Sequence, residues 1–331
     1  MSGTPQGTDA MAGVNRTRAI AGGVLIALVV ACGIGYVGWR AASNADGGTA
    51  GGLDLSRAGT LLYVDPAGGR VRQVARDDTA HPAGTGPACA RVYAAAGTLA
   101  CLRAGKVPMS AEIDLYAGGD LATPRRTLPL WGDPSRVRVS SDGRLVAWTV
   151  FRTGDSYLVQ GNFATTAGIY DLTTGAHYGS LEDFTTYVDG KPWTAQDRNF
   201  WGITFLSDDV TFYATMASRG HTWLLKGDLT NRRLTAVRQN VECASVSPDE
   251  TRIAYKYRTG KRWRLHVLDL TTGKDVALAE TAHVDDQATW LDDRTVAYGK
   301  NDGGKPAVFA VPADGSGAPT RVLTGTSPVP L

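Results

Sequence analysis

The chain has 331 residues, is rich in glycine and alanine, and carries a formal net charge of only +2. So small a charge leaves no electrostatic footprint for nucleic acid, and no nucleic-acid partner is expected. Roughly 280 residues remain after an apolar N-terminal segment, enough to bury a large core as one domain.

Residues 1–18 are polar and read as a cytoplasmic tail. Residues 19–39 are uncharged and mostly apolar, matching the roughly 20 residues that cross a bilayer as helix. Arg16 and Arg18 precede this run and Arg40 follows it, a weak bias toward a transmembrane signal anchor with its N-terminus inside. Two other readings stand beside it. Val29-Val30-Ala31-Cys32 resembles a lipobox ending in an acylated cysteine, although residues 33–39 stay apolar; cleavage after Ser43-Asn44-Ala45 is the ordinary secretory reading. All three put the rest of the chain in the envelope. The spanning anchor is the reading taken, giving a single-pass cell-membrane protein with an extracytoplasmic domain. Residues 40–52 hold Ser, Asn, Asp and several glycines and form a flexible linker. The folded domain covers residues 53–331.

That domain repeats one unit, clearest at residues 246–280. Ser247-Pro248-Asp249-Glu250 is a turn, residues 251–257 alternate apolar and polar, and residues 263–270 alternate again. Leu270-Thr271-Thr272-Gly273 then turns into a fourth short strand. In chain order, equivalents of the first turn fall at Gly59, Gly97, Gly143, Asp209, Glu250 and Asp293. The second turn returns as VDPAGG at Val64, YAGGD at Tyr116, YDLTTG at Tyr170, GDLTN at Gly227 and VPADGSG at Val311. Most spacings are close to a propeller-blade repeat of about 40–45 residues. The interval from Gly143 to Asp209 needs an insertion, placed at residues 181–200. The expected fold is therefore an all-β, six-bladed propeller. Five blades are complete. The first shows an outer hairpin at residues 61–75, and its remaining strands are expected from the tail at residues 327–331.

SPDETRIAY, SSDGRLVAW and the paired D-L-T-T-G turns resemble the repeats of TolB-like propellers, from Leu53 onward and most closely over residues 135–310. The resemblance implies six blades and a non-catalytic protein-binding scaffold of the bacterial cell envelope. The partner so implied is an envelope protein or a cell-wall component.

Propeller topology sorts the loops by face. The turns between strands one and two and between three and four lie on one face and are uniformly short. The two-to-three loops and the links between blades lie on the other face; they are long and varied, so binding is expected there. Residues 151–168 belong to this set, as does the insertion. The insertion supplies the expected partner-binding residues Tyr187, Asp189, Lys191, Trp193, Asp197, Arg198 and Asn199. Trp201 is read as packing between blades, while for Trp193 packing and binding stand level. The links also bring Asp133, Asp197, Glu242, Asp285 and Asp286 toward the mouth of the axial channel. Their preferred reading is strand capping or pairing with neighbours such as Arg136 and Arg198. Gripping a partner's cation comes second and holding Ca²⁺ third, with no spaced calcium motif in support.

No G-x-S-x-G, H-E-x-x-H or C-x-x-C occurs, and the five histidines are scattered singly. His266 reads as a packing residue and His283 as the one near the mouth. No cofactor and no metal are expected. The alternative function is a metal-dependent, lactonase-type hydrolase using the axial carboxylates. Cys89 and Cys101 form a disulfide in one reading, leaving Cys243 free; three reduced thiols is the other. In a hairpin centred on Ala96 and Gly97, Cys101 faces Val92, so the bridge requires residues 86–90 to fold back or the strand to bulge.

Overall fold

Side-chain chemistry in the repeated turns fixes where each strand ends. Ser247 Oγ donates to Asp249 Oδ1 at 2.5 Å, and that carboxylate accepts the Thr251 amide at 3.1 Å. Ser140 and Asp142 do the same one blade pair earlier, with Asp142 Oδ1 taking the Arg144 amide at 2.9 Å. In the second turn Asp269 Oδ1 accepts the amides of Thr271 and Thr272 at 2.9 and 2.7 Å, and Asp171 does so for Thr173 and Thr174. These are Asx turns, in which a short acidic side chain replaces a backbone acceptor.

The computed structural model describes residues 52–117, 121–152 and 164–331. The apolar run with Cys32, the linker up to residue 51 and most of the loop at residues 151–168 lie outside them. Among the described residues no helix is long and apolar enough to cross a membrane.

Six sheets, antiparallel but for one added strand in the fourth, follow one another around an axis. From the axis outward, the second blade is Arg91–Ala95, Thr98–Ala104, Ser110–Tyr116 and Arg126–Trp131; the third runs from Asp133–Val139 to His177–Tyr178. The fifth begins at Glu242–Val246 and the sixth at Thr289–Asp292. The first blade is closed by the tail, because Thr326–Pro330 forms its innermost strand against Thr60–Val64. Only that one strand comes from the tail. The hairpin at residues 61–75 provides the two middle strands, not the outer ones, and Gly84–Ala88 is the outermost.

The insertion enlarges the fourth blade instead of standing as a loop. After a single 3-10 turn, Leu181–Asp183, strand Thr185–Val188 pairs in parallel with the outer strand Arg233–Gln239, and Lys191–Pro192 completes an edge hairpin. Its turn is Asp189-Gly190, with φ of 50° and 74°, the left-handed pair that a two-residue hairpin requires. Leu181, Phe184 and Val188 enter the largest apolar cluster with Phe200, Phe212 and Trp223.

Candidate ligand pocket at the propeller axis

The innermost strands of the fourth and fifth blades are both bulged, with register breaks between Trp201 and Thr204 and between Glu242 and Ser245. At the bulges Gly202 and Cys243 adopt φ of +66° and +51°. A Cβ on Gly202 would sit 2.9 Å from Cys243 Cα, so only glycine lets the two strands approach this closely. Each bulge amide is captured by a threonine of the preceding sheet layer: Gly202 N–H by Thr149 Oγ1 at 3.3 Å and Cys243 N–H by Thr215 Oγ1 at 2.9 Å.

These bulges shape a cavity of about 440 Å³ on the link side of the axis, within the range of small-ligand sites. Phe151, Trp201 and Trp263 form aromatic wall, and the buried Cys243 lines the cavity with them. Arg91, Arg136 and Lys256 bring positive charge, and Glu242 and Asp285 negative. Below it a narrow waist is lined by Arg91, Arg136, Arg138, Asp286 and Gln287. A second cavity of about 400 Å³ opens on the turn side, and Arg138 reaches it too.

The carboxylates are largely taken. Asp285 Oδ1 accepts Lys256 Nζ at 2.6 Å, Glu242 Oε1 pairs with Arg258 Nε at 3.2 Å, and Asp286 lies 3.7 Å from Arg91 while accepting the Gly299 amide at 2.9 Å. Burial works to raise Asp285, but the Lys256 ammonium outweighs it and holds the carboxyl below its ordinary range. Arg136 and Arg138, by contrast, bond backbone carbonyls: Ser135 at 2.9 Å for the first and Ala288 at 2.7 Å for the second. Arg138 also stacks 4.6 Å over the Tyr93 ring. Burial, seconded by the neighbouring guanidinium groups, lowers both Arg91 and Arg138.

The axis therefore differs from the cluster of converging carboxylates read from sequence. Glu242, Asp285 and Asp286 do reach it, each facing a cation, but Asp133 stays exposed at the start of its strand. Asp197 lies apart, accepting Ser218 Oγ at 2.5 Å and the Arg219 amide at 2.6 Å. Among the described residues no group of His, Cys, Asp and Glu is arranged to hold a metal ion. The guanidinium row is the feature missed. Its signal was present in Arg136-Val137-Arg138, where alternation on an innermost strand turns both arginines to one face.

The insertion residues are distributed between surface and scaffold. Asp189 and Lys191 are exposed at the hairpin tip. Tyr187 is half-buried beneath Arg233, 4.2 Å from its ring. Trp193 donates from Nε1 to Ser218 Oγ at 3.0 Å, packs on Trp223, and carries Arg219 4.5 Å above its ring. Arg198 bonds the Ala195 and Glu182 carbonyls, and Asn199 Oδ1 accepts Thr165 N and Oγ1. Asp197, Arg198 and Asn199 also line a groove of about 410 Å³ that shares Trp201 with the axial pocket. Trp201 itself is 6% exposed. His266 stacks on Tyr257 and bonds Asp275; His283 accepts the Trp263 amide at 3.2 Å and so sits behind the pocket wall.

Cys89 and Cys101 are joined as a disulfide with Cα atoms 5.3 Å apart. Cys101 does face Val92 in the hairpin register. Cys89 reaches it from the link between the first and second blades, where its amide bonds the Gly69 carbonyl at 2.7 Å. Residues 84–88 are the extended outermost strand of the first blade, with a register break opposite Arg70 and Arg72, and they carry Cys89 to the bridge without the expected fold-back.

No protein-family model matches the chain, and no curated protein matches it either. Solved structures do. TolB from Acinetobacter baumannii superposes with a TM-score of 0.59 at 17% identity, over 82% of this chain and 66% of that one. A chain of a nidogen/laminin complex gives 0.53 at 11% identity, over 82% of this chain and 98% of that one. A putative TolB from Agrobacterium tumefaciens gives 0.43 at 12% identity, over 80% and 82%. The chain thus spans slightly less than two thirds of the Acinetobacter protein, and at these identities the likeness speaks for fold alone. The described residues form a six-bladed β-propeller whose fold is similar to that of TolB.

Proposed function

We propose that this propeller is a non-catalytic protein-binding scaffold of the cell envelope, tethered by residues 19–39 and engaging its partner through the link face. The observation that carries the reading is an apolar patch at the rim of the second blade. Trp131 is 60% exposed there beside Val107 at 59% and Met109 at 46%. Gly132 N–H bonds the Met109 carbonyl at 2.8 Å, which holds the patch together. Exposed tryptophan and methionine clustered on one face mark contact surfaces. The axial pocket and the adjoining groove open on that face, whereas the turn face is built of short polar Asx turns. The Cys89–Cys101 bridge fits an oxidising, extracytoplasmic compartment. The hydrolase alternative needs carboxylates free to bind a metal, and Glu242, Asp285 and Asp286 are instead engaged by cations.

The test is capture by the full chain from envelope extract, comparing wild type with a Trp131→Ser, Met109→Ser double variant. The reading expects a partner retained by wild type and lost from the variant at unchanged melting temperature. Equal capture by both would move the contact elsewhere. Digestion of the propeller by protease added to intact spheroplasts tests the orientation; full protection would refute it.

A further inference from the structure

The waist of the axial channel has an unbalanced charge. Arg136 and Arg138 meet no carboxylate within ion-pair distance among the described residues, and Arg91 meets Asp286 only at 3.7 Å. Arg138 is 9% exposed, and its Nε, like that of Arg136 and like Trp263 Nε1, is a buried donor with no hydrogen-bond partner among the described residues. Buried guanidinium groups are costly unless a counter-charge completes them. Lys256 and Arg258 do not share the deficit, because Asp285 and Glu242 answer them. What Arg136 and Arg138 lack among the described residues is a carboxylate in direct contact, matched to the planar fork of arginine. Above the guanidinium pair the walls are aromatic, with the Trp263 ring held between Lys256 and Arg258, each 4.7 Å from its centroid.

We propose that the axial pocket is a carboxylate-binding site, in which Arg91 and Arg136 hold the carboxylate and Trp201 and Trp263 flank the apolar body attached to it. The proposal rests on the reading of the link face as the binding face and adds the chemistry of what enters it. The carboxylate comes either from a glutamate or aspartate of a protein partner or from a free amphipathic acid. In both cases the ligand enters from the link mouth, since Arg138 and Gln287 close the waist below.

Calorimetric titration of the full chain tests this. The probes are 4-phenylbutyrate against its neutral amide, and an acetylated, amidated Gly-Ser-Phe-Glu-Ser-Gly peptide against the same peptide with glutamine. Saturable binding of a carboxylate probe, at least tenfold tighter than its amide counterpart and weakened by salt, is expected. Phenylbutyrate alone binding assigns a free acid; the glutamate peptide alone binding assigns a protein side chain. Arg136→Gln should weaken binding about tenfold or more, and Arg91→Gln provides the same reading if the first variant does not fold. Equal affinity for acid and amide, no binding by folded wild type, or full affinity in a folded arginine variant overturns the site. Partner capture that survives Arg136→Gln, with no carboxylate probe binding the folded wild type, overturns the carboxylate site yet leaves the scaffold reading standing. Probe binding combined with no partner captured by wild type upholds the site and removes the scaffold reading.

Discussion

The amide of Cys243 donates to Thr215 Oγ1 at 2.9 Å across the boundary between the fourth and fifth blades. Thr215 is fully buried, and the bond compensates a backbone forced to φ +51° by the bulge. Thr215→Val keeps the volume but leaves that buried N–H without an acceptor, which costs about 1–3 kcal/mol. Thr215→Ser should recover most of it. Urea midpoints with an unchanged slope will measure both. A valine variant as stable as wild type would show that the bulge needs no such support.

The insertion should behave as two parts. Asp189→Gly with Lys191→Ser alters only the exposed hairpin tip and should change stability by less than about 0.5 kcal/mol. Phe184→Ala removes a ring that is 2% exposed, for a loss of about 3–5 kcal/mol. Trp193→Ala should fall between, at about 2 kcal/mol, since its ring is half-buried on Trp223. Thermal unfolding of the three variants checks the order. A tip variant that unfolds as readily as Phe184→Ala would contradict the division.

Asp209 and Asp142 face each other between the turns of the third and fourth blades. Burial and the Asp142 carboxylate push Asp209 from 3.8 up to about 6, with Arg144 at 3.7 Å offsetting only part. Asp142 is held low despite burial, mainly by the Ser140 hydroxyl, so the charge of the pair sits there. Between pH about 4 and about 6 the folded state keeps a proton on Asp209 that the unfolded state has released, so this contribution to stability falls as pH rises through that window. Asp209→Asn should remove that dependence and stabilise the fold by about 1 kcal/mol at pH 7. Asparagine also tolerates the φ of +53° found there. Urea unfolding at pH 4, 5, 6 and 7 provides the test; destabilisation by asparagine at pH 7 would contradict the assignment.

Reduction of Cys89–Cys101, or its replacement by serines, should cost about 3 kcal/mol for a bridge spanning 12 residues. The hairpin it staples turns on Ala96 and Gly97, without the aspartate found in the first turns of the third to sixth blades. Unfolding with and without reductant measures the effect, and coincident curves would mean the bridge contributes nothing.

The architecture was legible because its signals are local. Asp142, Asp249 and Asp269 each bond within three residues, and the strands between them alternate. The first blade was only half legible, because Gly84–Ala88 carries little strand propensity and its pairing is set by Arg70–Ala75. The insertion was visible as a break in period, but its parallel pairing with Arg233–Gln239 depends on residues about 50 positions away. At the axis the carboxylates were legible and Arg136 was read as one neighbour for them, but Lys256, Arg258 and Arg91, which meet Asp285, Glu242 and Asp286, were not. Arg136 and Asp285 come from different blades, and only closure of the ring brings the Arg136 guanidinium to the Asp285 carbonyl at 3.3 Å.

Photo-crosslinking in intact cells tests most directly the claim that the link face is the working face. A crosslinking residue replaces Arg219 or His221, exposed on the link side, or Thr272 or Lys274, exposed on the turn side. The account predicts one common protein trapped from both link positions, reduced by Arg136→Gln, and nothing trapped from the turn positions. Trapping from Thr272 or Lys274 with none from Arg219 or His221 would contradict it.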